Sequence, residues 1–225
     1  MFVGHYGVSF AAKRSVPQIP LWVLFAAVQL LDIVWAPLVL FGIEKVRIVP
    51  GVTASNPLDL YYMPFTHSLV AALVWSAAAF AIYALAAKPK RRHAAGAALI
   101  VAAAVFSHWI LDFVVHRPDL PLYDNAAKVG LGLWNFPAVA FGLEAFVLFG
   151  GMALAIRVRA VRPVPSVVFG IGMLAIQAYV FFGPPPASDN AAAVTALVSY
   201  VIFAAIIRWI EGRPRARLTA AGALP

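Results

Sequence analysis

The chain has 225 residues, 63% of them hydrophobic and 12% charged, with a mean hydropathy of +0.88. No water-soluble domain buries so large an apolar share in one core, and the charged clusters between apolar runs exclude disorder and fibrous repeats. Seventeen Lys+Arg against nine Asp+Glu leave a net charge of +8, but the basic residues sit at the ends of apolar runs, as in membrane proteins, so nucleic-acid binding is not supported.

The predicted fold is all-α: a polytopic membrane helix bundle of about six transmembrane helices plus an N-terminal half-helix. Residues 1–12 are apolar but too short to cross a hydrocarbon core about 30 Å thick, and the turn from Lys13 to Pro20 sends the chain back as an antiparallel neighbour. The spans are then read at 21–43, 63–87, 94–115, 136–156, 164–183 and 191–210, within one transmembrane domain, 1–210, that ends in a basic tail, 211–225. Proline combined with charge or a tight turn marks the breaks at Lys88 to Arg92, Arg157 to Pro163 and Gly183 to Pro186. Thirteen basic residues fall on the side of both termini and four, Lys45, Arg47, Arg117 and Lys128, on the other, so both termini are expected in the cytoplasm. No cleavable signal is evident in residues 1–12, and spans five and six carry so few polar residues that they read as scaffold.

An ionisable side chain inside an apolar span is costly and therefore a functional candidate. The candidates are Asp32, His67, His108, Asp112 and Glu144, with His5 in the half-helix. At about 1.5 Å rise per residue, His5 and Asp32 reach matching heights above their shared turn and are expected to face one another. His67, counted as four residues into span two, and His108 and Asp112, near the end of span three, approach the same zone from the outer side. His108 and Asp112 are spaced i, i+4 and share one helical face. With no cysteine, a metal here has only imidazole, carboxylate and water as ligands, a set that suits a divalent ion and zinc best. The metal candidates are thus His5, Asp32, His67, His108 and Asp112, with Glu144 as their hydrogen-bonding partner or a general base.

After span three, His116-Arg-Pro-Asp119 is either a catalytic pair with an anion-binding Arg117 or a proline-stiffened loop with a solvated ion pair. Gly130 to Asn135 is too apolar for a free loop; folding over the site as a lid is one reading, but interfacial anchoring by Trp134 is the favoured one. Ser68 and Ser107 adjoin histidines in sequence but point away from them on a helix, which disfavours a serine nucleophile.

Asn56 to Ser68, with Thr66-His67-Ser68, and His108-Trp-Ile-Leu-Asp112 resemble the bacterial membrane-bound metal-dependent hydrolases, a largely uncharacterised family. The resemblance covers residues 4 to about 116, and His5, Asp32, Thr66-His67-Ser68, His108 and Asp112 match it residue by residue. The chain departs from the family at Tyr61-Tyr-Met-Pro, where a His-Arg is common, and at Asp32-Ile-Val34, where a paired Asp-x-Asp is common. The resemblance implies a bacterial inner-membrane enzyme that hydrolyses a phosphoester or similar bond in a membrane lipid or amphiphile. A transporter using Asp32 and Glu144 as ion sites is the alternative, with a homo-oligomer supplying the helices that six spans lack. A non-catalytic scaffold with paired polar residues is the third reading.

Overall fold

The computed structural model describes residues 1–86 and 94–211. The basic turn at Lys88 to Arg92 and the tail beyond Glu211 lie outside the described residues. Among those described there are eight α-helices and one two-stranded sheet. Five helices are long and apolar enough to cross a membrane: α4 (Leu69–Ala86), α5 (Ala94–Val115), α6 (Pro137–Arg157), α7 (Pro163–Phe182) and α8 (Asp189–Glu211). Their outer faces leave large apolar side chains such as Leu85, Phe146 and Val164 exposed, surface that water would penalise and lipid covers.

The first expected span is not continuous. It is two helices, α2 (Leu21–Val28) and α3 (Leu30–Leu40), bent by 54° at Gln29, and they count as a sixth crossing only if taken together. The hydrophobic run from Leu21 to Leu40 hides the bend, because Leu30 and Leu31 follow Gln29 with no proline or glycine to signal it. The second span also begins later than expected, at Leu69, where Ser68 caps α4 by accepting the amide of Ala71 at 3.0 Å. His67 therefore sits in the segment entering the helix, not four residues inside it. Strands β1 (Lys45–Ile48) and β2 (Leu58–Tyr62) pair antiparallel between α3 and α4, a hairpin the sequence reading did not anticipate.

The half-helix, α1 (His5–Ser15), is as expected short, and it is buried inside the bundle. It runs antiparallel to α2, as shown by Ser9 Oγ donating to the Leu24 carbonyl at 2.9 Å and Gln29 Nε2 reaching that of Phe2 at 3.4 Å. Its other side meets α6 backbone to backbone: a Cβ on Gly151 would lie 1.9 Å from the Gly7 carbonyl oxygen, and one on Gly7 2.0 Å from that of Val147. Only glycine permits this approach, the small-residue packing that membrane helices use in place of hydrophobic drive.

One end of the bundle is pinned by Lys13, which pairs with Glu211 at 2.5 Å, while Glu211 also accepts the amide of Leu21 at 2.8 Å. Arg162 donates to the Ile210 carbonyl at the same end. The hairpin gathers at the other end, where Ser55 Oγ donates to the Trp134 carbonyl at 2.8 Å.

Candidate metal centre

Five elements deliver the polar residues. On α5, His108 and Asp112 occupy one face, and because the amide of His116 bonds back to the Asp112 carbonyl at 2.8 Å, the helical course carries His116 onto that face too. From α1 comes His5, the first helical residue. The exposed amides at that helix start are taken up by Glu144 on α6, which accepts from Phe2 at 3.0 Å and from Gly4 at 2.8 Å and also receives Gln177 Nε2 at 3.1 Å. Asp32 stands in the first turn of α3, and His67 arrives from the segment before α4. All of these residues are buried except Asp32, which is partly so.

The polar atoms converge. Asp112 lies 3.2 Å from His5 Nε2 through Oδ1, and 3.1 Å from His108 Nε2 and 3.7 Å from His67 Nε2 through Oδ2. Asp32 Oδ1 lies 3.2 Å from His67 Nε2 and 3.7 Å from His108 Nε2. His5 thus faces Asp112, not Asp32 as its depth suggested, and its ring stacks on that of His108 at 3.9 Å and 4°. Two overlapping triads could hold a metal ion: His5, His108 and Asp112, and Asp32, His67 and His108. All five predicted ligands are in this cluster.

Hydrogen bonds on the far side of the rings orient them. His108 Nδ1 donates to the Val28 carbonyl at 2.7 Å, and Val28 ends α2, where carbonyls lack helical partners. His67 Nδ1 lies 2.7 Å from Thr66 Oγ1, whose hydroxyl donates to Glu44 at 2.6 Å, so the imidazole is the donor to Thr66. Glu44 is held by the amides of Phe65 and Thr66, and burial pushes its carboxyl up from its ordinary value. Both rings therefore present an Nε2 lone pair to the centre. On the other carboxylate, Tyr200 on α8 donates to Asp32 Oδ2 at 2.7 Å.

The chemistry of the donor set can be tested on the separations. Zinc bonds of about 2.0–2.1 Å in tetrahedral geometry put neighbouring ligand atoms about 3.3 Å apart. The observed 3.1–3.7 Å brackets this value, whereas 3.7 Å is too long for a hydrogen bond. His108 Nε2 is moreover buried with no hydrogen-bond partner, facing two carboxylates. The amino group of Met1 also contacts Asp112 Oδ1.

The His116 loop is folded inward, not solvated: His116 and Asp119 are both buried. His116 Nδ1 donates to Asp119 Oδ1 at 2.8 Å and its Nε2 stands 3.8 Å from Asp112 Oδ2. Asp119 also meets Arg117, which contacts Asp59, and Asp59 in turn takes Arg47 at 2.6 Å, so charges from the hairpin reach the loop in an unbroken chain. The apolar segment after it packs inward against His116 and does not turn Trp134 outward as the favoured interfacial anchor requires. Trp134 is buried against the His116 ring at 4.2 Å, and Gly130, at φ 154°, passes so close to Arg117 that a Cβ would lie 2.2 Å from its carbonyl oxygen.

A cavity of about 520 Å³ opens onto the cluster, with Asp32, His67, Asp112 and His116 in its wall. No family model matches the sequence, and no similar protein was found among curated proteins or solved structures. Tyr200, Gln177 and Glu44 were not among the sequence candidates; the first two line the cavity or brace its wall from the helices that looked like scaffold.

Proposed function

We propose that the protein is a metal-dependent phosphoester hydrolase of the bacterial inner membrane, with its centre toward the non-cytoplasmic side. The likeness of its Thr-His-Ser and His-x-x-x-Asp segments to the membrane-bound metal-dependent hydrolases supports this reading. The observation that carries it is the partnerless His108 Nε2 buried 3.1 Å and 3.7 Å from two carboxylates, an arrangement that a divalent cation relieves. His5, Asp32, His67, His108 and Asp112 would hold the ion, zinc being the best match to imidazole and carboxylate. Bound there, the metal supplies Lewis-acid stabilisation of charge on the phosphoryl oxygens.

The chain's own acid–base group is His116. Its Nδ1 is committed to Asp119, which leaves Nε2 as a base in the cavity wall. As a water oxygen bonds to phosphorus, Nε2 takes the water's proton; the ester P–O bond breaks, its electron pair stays on the leaving oxygen, and His116 returns the proton to that oxygen. Glu144 does not share this role, because its oxygens are occupied by the Phe2 and Gly4 amides and by Gln177. It is the group that keeps His5 in place.

Elemental analysis of the detergent-purified protein tests the reading. About one equivalent of a divalent transition metal is expected, lost on chelation and absent in His108→Ala and Asp112→Ala. Full occupancy in both variants, or no metal in the wild type, overturns it. Release of nitrophenolate from a nitrophenyl phosphodiester in micelles should follow the metal, and His116→Ala should abolish it while keeping the metal.

A further inference from the structure

The cavity does not end at the polar cluster. Its walls continue along α7 and α8, past Ile176, Tyr179 and Val180 on one helix and Ala192, Thr195 and Ala196 on the other. α7 packs chiefly on α6 and α8 chiefly on α2 and α3, with a smaller contact between α7 and α8 themselves. Ile176, Tyr179, Val180 and Thr195 line the cavity and are exposed, so the cavity is open where they stand. On helices that cross a bilayer, a side opening of this kind meets hydrocarbon.

The two ends of this space differ in chemistry. The outer end is apolar, with alanine and threonine on α8 leaving room for a chain. The inner end carries the metal-ligand cluster and two buried indoles, Trp35 and Trp134, which contribute to its wall. A cation site at this end suits a group rich in acceptor oxygens. At about 520 Å³ the volume lies in the range of roughly 300–1,000 Å³ typical of small-molecule sites, enough for a headgroup and the first part of a chain but not a whole lipid. The remainder of the chain would have to stay in the bilayer.

We propose that the slot between α7 and α8 admits a phosphate-bearing bilayer lipid sideways, its headgroup resting against Trp35, Trp134 and the His/Asp cluster and its hydrocarbon chain leaving through the slot. The site for the lipid stands on the cavity alone; its role as substrate rests on the hydrolase reading. Free phosphate shares the headgroup chemistry but has nothing to place in the apolar half.

Photolabelling separates these cases. The full chain, in phosphatidylcholine nanodiscs, is irradiated with a trace of phosphatidic acid carrying a diazirine on its acyl chain. Label should concentrate in residues 176–187 and 191–199, at several times the level on the equally lipid-exposed face of α4. Ala196→Trp, which plugs the slot, should reduce it at least fivefold while metal content stays unchanged, the sign that the variant is folded. A milder Ala196→Leu should give an intermediate reduction. Excess inorganic phosphate should displace the headgroup only partially. Even labelling of all outer faces, or full labelling of Ala196→Trp with its metal intact, overturns the proposal and leaves the hydrolase reading standing. Concentrated label on a protein that binds no metal would do the reverse. Equal labelling by a diazirine diacylglycerol, which carries no phosphate, overturns the assignment of a phosphate-bearing headgroup.

Discussion

His108 gives its Nδ1 proton to the carbonyl oxygen of Val28 at 2.7 Å, so its Nε2 is committed to facing Asp112. A backbone carbonyl accepts and never donates, so the tautomer is set by the fold and not by the occupant of the centre. The same logic holds for His67 through Thr66 and Glu44. Such outer hydrogen bonds typically alter metal affinity by about 10–100-fold.

Thr66→Val and Tyr200→Phe each remove one hydroxyl without touching a ligand. Each is expected to weaken metal binding about tenfold or more, read by competition with a chromophoric chelator, with thermal stability nearly unchanged. Wild-type affinity in both would mean that the hydroxyls only satisfy buried polar groups.

Gly151→Ala is expected to be far more damaging than its single methyl suggests, because the new Cβ would sit 1.9 Å from the Gly7 carbonyl. Pushing α1 off α6 withdraws His5 from Asp112, and overpacking of this kind costs about 1–3 kcal/mol or more. Gly142, on the same helix with nothing within 4 Å of its Cβ position, is the control. Melting temperature and metal content in detergent should both fall for Gly151→Ala and for neither measure in Gly142→Ala.

Acidification should strip the metal. Imidazole binds a metal only when neutral, so protons compete with the ion for these ligands as pH falls. Occupancy measured after equilibration is expected to be retained at about pH 8 and to fall progressively on acidification. Occupancy that does not change with pH would argue against histidine ligation.

Reporter fusions after Lys90 and after Asp189 should fall on opposite sides of the membrane. Lys13 and Arg162 are pinned to the Glu211 end of α8, which puts their two turns at one end of the bundle and Asp189 at the other end of the same helix. The basic majority in the sequence on the first side is the reason a cytoplasmic face is expected there. Equal signals from both fusions would contradict a six-crossing topology.

What the sequence reveals here follows from periodicity and cost. His108 and Asp112 are legible because i, i+4 spacing in an otherwise uncharged helix has few inexpensive explanations. His116 repeats the step of four once more and stands in the sequence as a catalytic candidate, but proline two residues later leaves a free loop as an equal alternative. Tyr200 and Gln177 carry no comparable mark, since a single tyrosine or glutamine in an apolar span is compatible with many roles. Glu44 reaches its place through a hairpin whose short strands have no strong pattern, and it meets Thr66 from 22 positions away. The bend at Gln29 is a tertiary effect without a local breaker.

That bend has two beneficiaries. Ending α2 at Val28 leaves a carbonyl for His108, and restarting the chain as α3 puts Asp32 in the first turn of a new helix, where aligned peptide dipoles favour a negative charge by about 0.3–1 kcal/mol. An unbroken helix from Leu21 to Leu40 would deny His108 its acceptor and return Asp32 to mid-helix, where no such field exists. A variant selected for a straighter and more stable first crossing is therefore expected to be a firmer membrane anchor and a poorer metalloprotein, so this segment trades durability for ligand geometry.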